Sequence, residues 1–99
     1  MNSPNYRHLH KEQSYQLALE PGQWARLDYQ RENDVLHLNH TVVPPALRGK
    51  NAAAMLLEFA LQDIDEQGLM INPVCTYVQS YLKRHPHWQR LVVPASQET

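Results

Sequence analysis

The sequence predicts an α+β fold, in which two main helices pack on a mixed and mostly antiparallel sheet. Three segments that alternate apolar and polar residues come first along the chain. A long segment of helical periodicity, a short apolar strand and a second helical segment follow them. Because 99 residues are too few to bury two separate cores, we expect a single domain over residues 1–99.

The predicted sheet begins with a hairpin. YQLALE and WARLDYQ both alternate, and Pro21-Gly22 between them is a typical turn pair. The polar residues before this hairpin lack an apolar pattern. We therefore expect an ordered core over about 13–94, with 1–12 and 95–99 as loose termini.

The third predicted strand is VLHLNHTVV, which follows a turn at Asn33-Asp34. It must end at Pro44-Pro45, since proline donates no ladder hydrogen bond. Strict alternation assigns its residues to two faces. One face holds Leu36, Leu38 and His40, and the other holds His37 and Asn39.

The two predicted helices enclose the last strand. Apolar residues recur at helical spacing from Ala53 to Ile64, and Gly68 ends this first helix. LMIN is a short strand, which we expect to lie parallel to the third. Pro73 suits the first turn of a second helix, which covers VCTYVQSYLKRH and ends before Pro86.

Composition and charge exclude several classes of protein. A net charge of -1 gives no electrostatic reason to propose nucleic acid or an anionic membrane as a partner. Cys75 is the one cysteine, so no internal disulfide can form, and we expect a cytoplasmic protein. The histidine pairs His8/His10 and His85/His87 lack companions at a known zinc spacing, so we expect no metal.

The loop HTVVPPALRGKNAA raises the question of an anion site. A helix begins with backbone N–H groups that have no partner within the helix, and its dipole favours negative charge there. Gly49 permits close approach, while Arg48 and Lys50 add positive charge. The segment is therefore either a phosphate cradle or a solvated connection between strand and helix.

Several segments together resemble the small, acetyltransferase-like branch of the GNAT superfamily. RGKNAA at 48–53 is similar to the pattern Gln/Arg-x-x-Gly-x-Gly/Ala, with Arg48 first and Ala53 last. HTVVP, PVCTYV and YLKRHP followed by an aromatic residue also resemble this branch. The resemblance runs in order from about Tyr15 to Val93. Asn51 stands where the pattern has its invariant glycine, and asparagine is the next-best residue for left-handed backbone.

This resemblance implies a minimal GNAT-like fold that binds acetyl-CoA. The strand edge at Thr41, Val42 and Val43 would pair with the pantetheine arm. The pyrophosphate would be held by Arg48, Gly49, Lys50, Asn51, Ala52 and Ala53.

Three residues are candidates for the chemistry. Cys75 is either a reactive thiol near a helix N-terminus or a small buried hydrophobe. His40 is either the base that activates it or a histidine closing a core face. Tyr81 has the position of the helix tyrosine that protonates the leaving thiolate in many GNAT enzymes, and Tyr77 lies on much the same face. Either tyrosine is alternatively a core residue with its hydroxyl at the surface.

The resemblance implies an N-acetyltransferase that transfers acetyl from acetyl-CoA to an amine. The alternative is a non-catalytic CoA-binding or protein-interaction module that retains the fold. The chain leaves little wall for an acceptor pocket, so the acceptor is expected to be a protein or another macromolecule, or a second subunit completes the site in a homodimer.

Overall fold

A computed structural model describes residues 4–94 and confirms the α+β class. The described strands are β1 (Asn5–Leu9), β2 (Ser14–Glu20), β3 (Gln23–Glu32), β4 (Val35–Val42) and β5 (Met70–Pro73). The main helices are α1 (Ala52–Glu66) and α2 (Thr76–Arg84), and short 3-10 helices cover Pro45–Leu47 and Pro86–Leu91.

The sheet has the order β1-β2-β3-β4-β5. Neighbouring strands from β1 to β4 are antiparallel, as expected of a meander. β5 pairs parallel with β4, because α1 carries the chain back to the starting edge. Past β5, the Val93 N–H donates to the Ile71 carbonyl at 2.9 Å, so the segment after α2 covers the edge of β5.

Residues 5–9 form a strand, which corrects the expectation of a loose lead-in. β1 is short, largely exposed and polar, so its sequence carries no apolar alternation. Its side chains hold it instead, since the Tyr6 ring lies 4.8 Å from that of Phe59 and the His8 ring stacks on Tyr15 at 3.9 Å. Residues 1–3 and 95–99, also expected to be loose, lie outside the described part.

The core lies on one face of the sheet. α1 contacts β2 and β3, while α2 contacts β4 and β5, and both helices belong to one hydrophobic cluster. Its fully buried members include Leu27, Leu38, Leu56 and Leu82. The other side of the sheet, called here the bare face, carries polar residues such as Arg26, Gln30 and His37.

A β-bulge in β4 corrects the predicted faces of this strand. Tyr29 pairs with Leu38 but Asp28 pairs with His40, so Asn39 is an extra residue on β4. Alternation therefore shifts by one position after Leu38. His40 lies exposed on the bare face, opposite Asp28, and Thr41 takes the core-facing position opposite Leu27.

The second helix begins later than expected. Pro73 is the last residue of β5 rather than the first turn of α2. The Cys75 N–H donates to the Leu38 carbonyl at 2.9 Å, which continues the pairing with β4 by one step. Cys75 consequently has extended backbone (φ -69°, ψ 131°) and occupies the N-cap position of α2.

Candidate functional site

The loop before α1, residues 48–53, is named here the phosphate loop. Asn51 adopts the left-handed conformation (φ 64°, ψ 21°) at the N-cap, as its place in the pattern predicts, and Gly49 has φ 79°. No side chain caps the helix, and its first turn holds no acidic residue. The first N–H groups of α1 therefore keep their capacity to bind an anion.

The two basic residues of the phosphate loop differ in their surroundings. The Lys50 ammonium pairs with the Glu20 carboxylate, so its charge is partly neutralised. Arg48 is exposed and has no ion pair within residues 4–94. Arg48 is thus the more available of the two cations for a phosphate.

A cleft of about 750 Å³ lies between α1 and α2. Asn51 and Ala54 line it at the start of α1, and Tyr77 lines it near the start of α2. Farther along it are Met55, Glu58, Tyr81, Arg84 and His85. This helix cleft therefore connects the phosphate loop with the beginning of α2, where Cys75 lies.

Glu58 joins three elements inside the helix cleft. Its carboxylate accepts hydrogen bonds from the Tyr81 hydroxyl and, at 2.9 Å, from the Trp88 indole N–H. Burial opposes the charge, but these bonds and the nearby His85 and His87 outweigh it and lower the pKa of Glu58. The ionised carboxylate therefore ties α1 to α2 and to the segment that follows.

Tyr81 lies in the helix cleft with its hydroxyl committed to Glu58. Burial, followed by the Glu58 carboxylate, raises the pKa of Tyr81 far above the ordinary value of 10.0. The side chain is only 2% exposed. It remains protonated at neutral pH, and its packing fits a positioning role. Tyr77 is half-buried on the same wall, with its ring 6.4 Å from that of Tyr81.

The sheet opens beyond the last pair of β4 and β5. Leu38 pairs with Pro73, and past this point β4 continues to Val42 without a strand on that side in the described chain. The gap between this free edge of β4 and the start of α2 is named the fork. Cys75 stands in the fork, with its Sγ 3.6 Å from the Thr41 hydroxyl oxygen.

The fork favours a thiolate at Cys75. Burial raises the pKa of the thiol, but the Thr41 hydroxyl and the backbone N–H groups of Val78, Tyr77 and Thr41 together outweigh it. The pKa of Cys75 therefore lies below its ordinary value of 9.0. Since the thiolate is the nucleophilic form, this half-buried cysteine is placed for reaction.

The structure brings only part of the expected site together. Cys75, Thr41 and the phosphate loop surround the fork and the start of the helix cleft, and Tyr81 lines the cleft. His40 points to the bare face, so its side chain and that of Thr41 lie on opposite sides of β4. Its proposed part as base remains a prediction.

Two further findings concern ions and lipid. Within residues 4–94, no three His, Cys, Asp or Glu side chains gather as metal ligands would. No helix of this described range is both long and apolar enough to cross a membrane.

Comparison with known proteins identifies the family. The sequence model of the GCN5-related N-acetyl-transferases matches residues 14–91. The chain belongs to the GCN5-related N-acetyltransferase family. That match includes every element from β2 to the 3-10 helix Pro86–Leu91, hence both walls of the helix cleft.

Curated relatives and a solved structure agree with this assignment. Protein NATD1 of Danio rerio is 39% identical over 54 residues, which are 54% of this chain and 49% of the relative. Protein NATD1 of Homo sapiens is 38% identical over 52 residues, 52% of this chain and 46% of the relative. These matches span about half the length of the relatives. The solution structure of a GCN5-like protein from Staphylococcus aureus has a TM-score of 0.70 at 18% identity, covers 95% of this chain and 92% of its own, and so shows the same fold.

Sequence patterns did not single out Glu58 or the contact between Thr41 and Cys75. The partners of Glu58 lie 23 and 30 positions away along the chain, so the sequence of its own helix does not indicate them. Thr41 and Cys75 are 34 positions apart. Strict alternation predicts that Thr41 faces away from the core. The extra residue Asn39 reverses this and brings Thr41 to the side of β4 on which Cys75 lies.

Proposed function

We propose that this protein binds acetyl-CoA in the helix cleft and transfers the acetyl group to an amine. The observation that carries the proposal is the helix cleft itself. The uncapped start of α1 lies at one side of it, and Tyr77 lines it two residues after Cys75, whose thiol has a lowered pKa. Family membership supports it. The reduced thiol it requires is consistent with a cytoplasmic protein, which we propose as its location.

The pyrophosphate would lie against the first N–H groups of α1. The left-handed Asn51 turns the chain so that these N–H groups follow directly, and Ala52 to Ala54 place no long side chain before them. Arg48 supplies the free charge. The free edge of β4, from Thr41 to Val43, would then pair with the pantetheine arm, which brings the thioester into the fork.

Two routes use this arrangement. In the covalent route the Cys75 thiolate attacks the thioester carbonyl, a bond from carbon to the Cys75 sulfur forms, the bond to the CoA sulfur breaks, and CoA leaves as a thiolate. In direct transfer the neutral amine itself attacks the thioester carbonyl, the carbon–nitrogen bond forms and the bond to the CoA sulfur breaks. The excess proton on nitrogen passes to water, and Tyr81 or Tyr77 is the candidate acid for the CoA thiolate. The lowered pKa of Cys75 favours the covalent route.

Calorimetry tests cofactor binding. Acetyl-CoA should bind the unmodified protein, and Arg48→Gln should weaken binding about three- to tenfold, as loss of one phosphate contact predicts. Lys11→Gln removes one charge from an exposed turn far from the cleft and should leave binding unchanged. Absence of binding at millimolar ligand would eliminate the proposal.

Mass spectrometry separates the two routes. Incubation with acetyl-CoA alone should add one acetyl group to the intact protein, and a Cys75→Ala variant should remain unmodified. A Cys75→Ala variant that transfers acetyl to amines at the original rate would discard the covalent route and leave the direct one.

A further inference from the structure

A second β-bulge, in β2, changes the side of the sheet to which Glu20 points. Ala18 pairs with Trp24 but Glu20 pairs with Gln23, so the residue between Ala18 and Glu20 is an extra one. Trp24 lies two residues before Arg26 and shares the bare face with it. Gln23 and its partner Glu20 therefore point to the other side of the sheet, which the helices cover.

The bulge in β2 brings Glu20 to the phosphate loop. Without the extra residue, strict alternation would place Glu20 on the same face as Ala18, which is the bare face. With it, the Glu20 carboxylate pairs with the Lys50 ammonium, which lies 30 positions away along the chain. The end of β2 thus contributes a charged group to the proposed phosphate site, and re-aiming a side chain beside a functional site is a known use of bulges.

The pair of Glu20 and Lys50 contributes little to folding stability. Both side chains remain well exposed, 39% for Glu20 and 47% for Lys50. Water screens an ion pair of this kind, so its contribution to folding is small. Next to a phosphate site the pair has a further effect, because it occupies a cation that a phosphate would use. Its consequence is therefore expected in ligand binding.

Lys50 can contact either group. It lies between the left-handed residues Gly49 and Asn51, directly before the first turn of α1. Its ammonium is a point charge on a flexible stem and needs no fixed bonding geometry. Moving it from a carboxylate oxygen to a phosphate oxygen exchanges one charge-assisted hydrogen bond for another. Arg48, in contrast, has no competing carboxylate within residues 4–94.

We propose that Glu20 is an internal competitor of the cofactor, and that its carboxylate occupies, on Lys50, the place of one phosphate oxygen of acetyl-CoA. The inference rests on the proposed cofactor site. When the diphosphate binds, Lys50 moves from Glu20 to the ligand, and the turn at Pro21-Gly22 next to Glu20 loses this link to the phosphate loop. Glu20 thus lowers the affinity of the phosphate loop for anions.

Calorimetry at low ionic strength, with acetyl-CoA and with inorganic pyrophosphate, tests the competition. Glu20→Gln should tighten the binding of both ligands about three- to fivefold, the size expected when one exposed ion pair no longer competes. In the Lys50→Gln background, Glu20→Gln should change either affinity by less than about twofold, because the competition acts through Lys50.

Glu12→Gln provides the matched control. It removes the same charge from the exposed turn before β2, about 20 Å or more from Glu20 along the strand. Salt screens charges over that distance, so both affinities should stay unchanged. Equal tightening by Glu20→Gln with and without Lys50 would mean that Glu20 only repels the ligand. That result, or the absence of tightening, overturns the proposal.

The two ligands distinguish failure of this proposal from failure of the cofactor proposal. If acetyl-CoA responds to Glu20→Gln as expected, both stand. If acetyl-CoA binds equally well with and without Glu20, the competitor proposal is overturned and the cofactor proposal stands. If acetyl-CoA does not bind but pyrophosphate responds as expected, the competitor proposal stands and the cofactor proposal falls. If no variant binds either ligand, both are overturned.

Carbon NMR of the Glu20 side-chain carboxyl group provides a direct readout of the exchange. Saturating pyrophosphate should shift this signal in the unmodified protein, because the carboxylate loses its partner, and should shift it less in Lys50→Gln. Equal shifts in the two proteins would contradict the movement of Lys50 from Glu20 to the ligand.

Discussion

At the scale of single residues, Thr41 and Cys75 meet across the fork, and their contact is one of the causes that lower the pKa of Cys75. A thiol whose pKa is lowered by several weak donors is sensitive to each of them. Burial opposes ionisation of Cys75, and its lowered pKa depends on the nearby N–H groups of Tyr77 and Val78 and on Thr41, which lies 34 positions away along the chain.

Thr41→Val should therefore raise the pKa of Cys75. Removing a hydrogen bond worth about 1 kcal/mol lowers the thiolate fraction at neutral pH by about fivefold. The pH dependence of iodoacetamide alkylation, followed by mass spectrometry, measures the change. Thr76→Val removes an exposed hydroxyl next to Cys75 and should alter the rate little. Equal rates in wild type and Thr41→Val would contradict the assigned role.

Asn51 should tolerate glycine but not a β-branched residue. With φ 64°, Asn51→Val should lose about 1–2 kcal/mol of unfolding free energy, because a branched side chain is strained in left-handed backbone. Asn51→Gly should keep stability within about 1 kcal/mol. Urea unfolding compares the variants, and equal stability of the valine and glycine forms would contradict the conformation described.

At the scale of elements, Glu58 is the polar link between α1, α2 and the segment after it. Glu58→Ala leaves the Tyr81 hydroxyl and the Trp88 indole N–H without this acceptor. We expect a loss of about 2 kcal/mol in unfolding free energy. Glu58→Gln retains an acceptor oxygen and should lose less. Equal losses in both variants would indicate that charge alone matters.

The same carboxylate predicts an acid dependence. Because the pKa of Glu58 is lower in the folded state, its stabilising effect is complete above the ordinary value of 4.5 and is lost as pH falls from there through the folded pKa. The stability difference between wild type and Glu58→Gln should shrink over this acidic range. Asp65, whose pKa is lowered by Arg90, also contributes to acid dependence. Because this contribution is the same in both proteins, it cancels in the difference.

β1 should loosen as the pH falls below 6.5. Burial and the neighbouring His10 lower the pKa of His8, with Asp63 opposing them, so the unfolded strand takes up a proton before the folded one does. Tyr15, Tyr29 and Arg31 are the other titratable groups around it. Hydrogen exchange of residues 5–9 should therefore accelerate below 6.5 before that of β3.

His10→Gln provides the matched control for β1. It removes the repulsion but keeps the strand, so the pKa of His8 should rise towards 6.5 and the loosening below 6.5 should be smaller. If exchange of residues 5–9 follows that of β3 at every pH, β1 does not open independently.

At the scale of the whole molecule, acetyl-CoA should stabilise the fold by mass action. A ligand at a hundred times its Kd adds about 2.7 kcal/mol, which corresponds to a rise in Tm of about 10 °C or more for a chain of this size. Arg48→Gln should show a smaller rise at equal ligand concentration. An equal rise in Tm for the unmodified protein and Arg48→Gln would contradict a contact between Arg48 and phosphate.

Most elements could be predicted from sequence because their signals are local. Periodicity located both helices and β2 to β5, and the left-handed Asn51 follows from the preferences of one residue. Pro73 was wrongly predicted to lie in the first turn of the second helix, since proline also suits the end of an edge strand, where the structure has it.

The remaining features depend on partners that are distant in sequence. β1 exists through its pairing with β2 and its contacts with Phe59 and Asp63, none of which its polar sequence indicates. The bulge at Asn39 left no mark in HLNHTVV, so the face of His40 was predicted wrongly. The bulge brings the Thr41 side chain to the fork. The contact between Thr41 and Cys75 could therefore not be predicted without knowing of the bulge.

The one-sided arrangement of the helices also suits the protein to engineering. The hydrophobic cluster lies between the helices and one face of the sheet. Polypeptide added over the bare face need not disturb this cluster. The turn between β1 and β2 is exposed at Lys11 and Glu12. A helix spliced in at that turn would add a third layer over the bare face and leave Cys75 untouched.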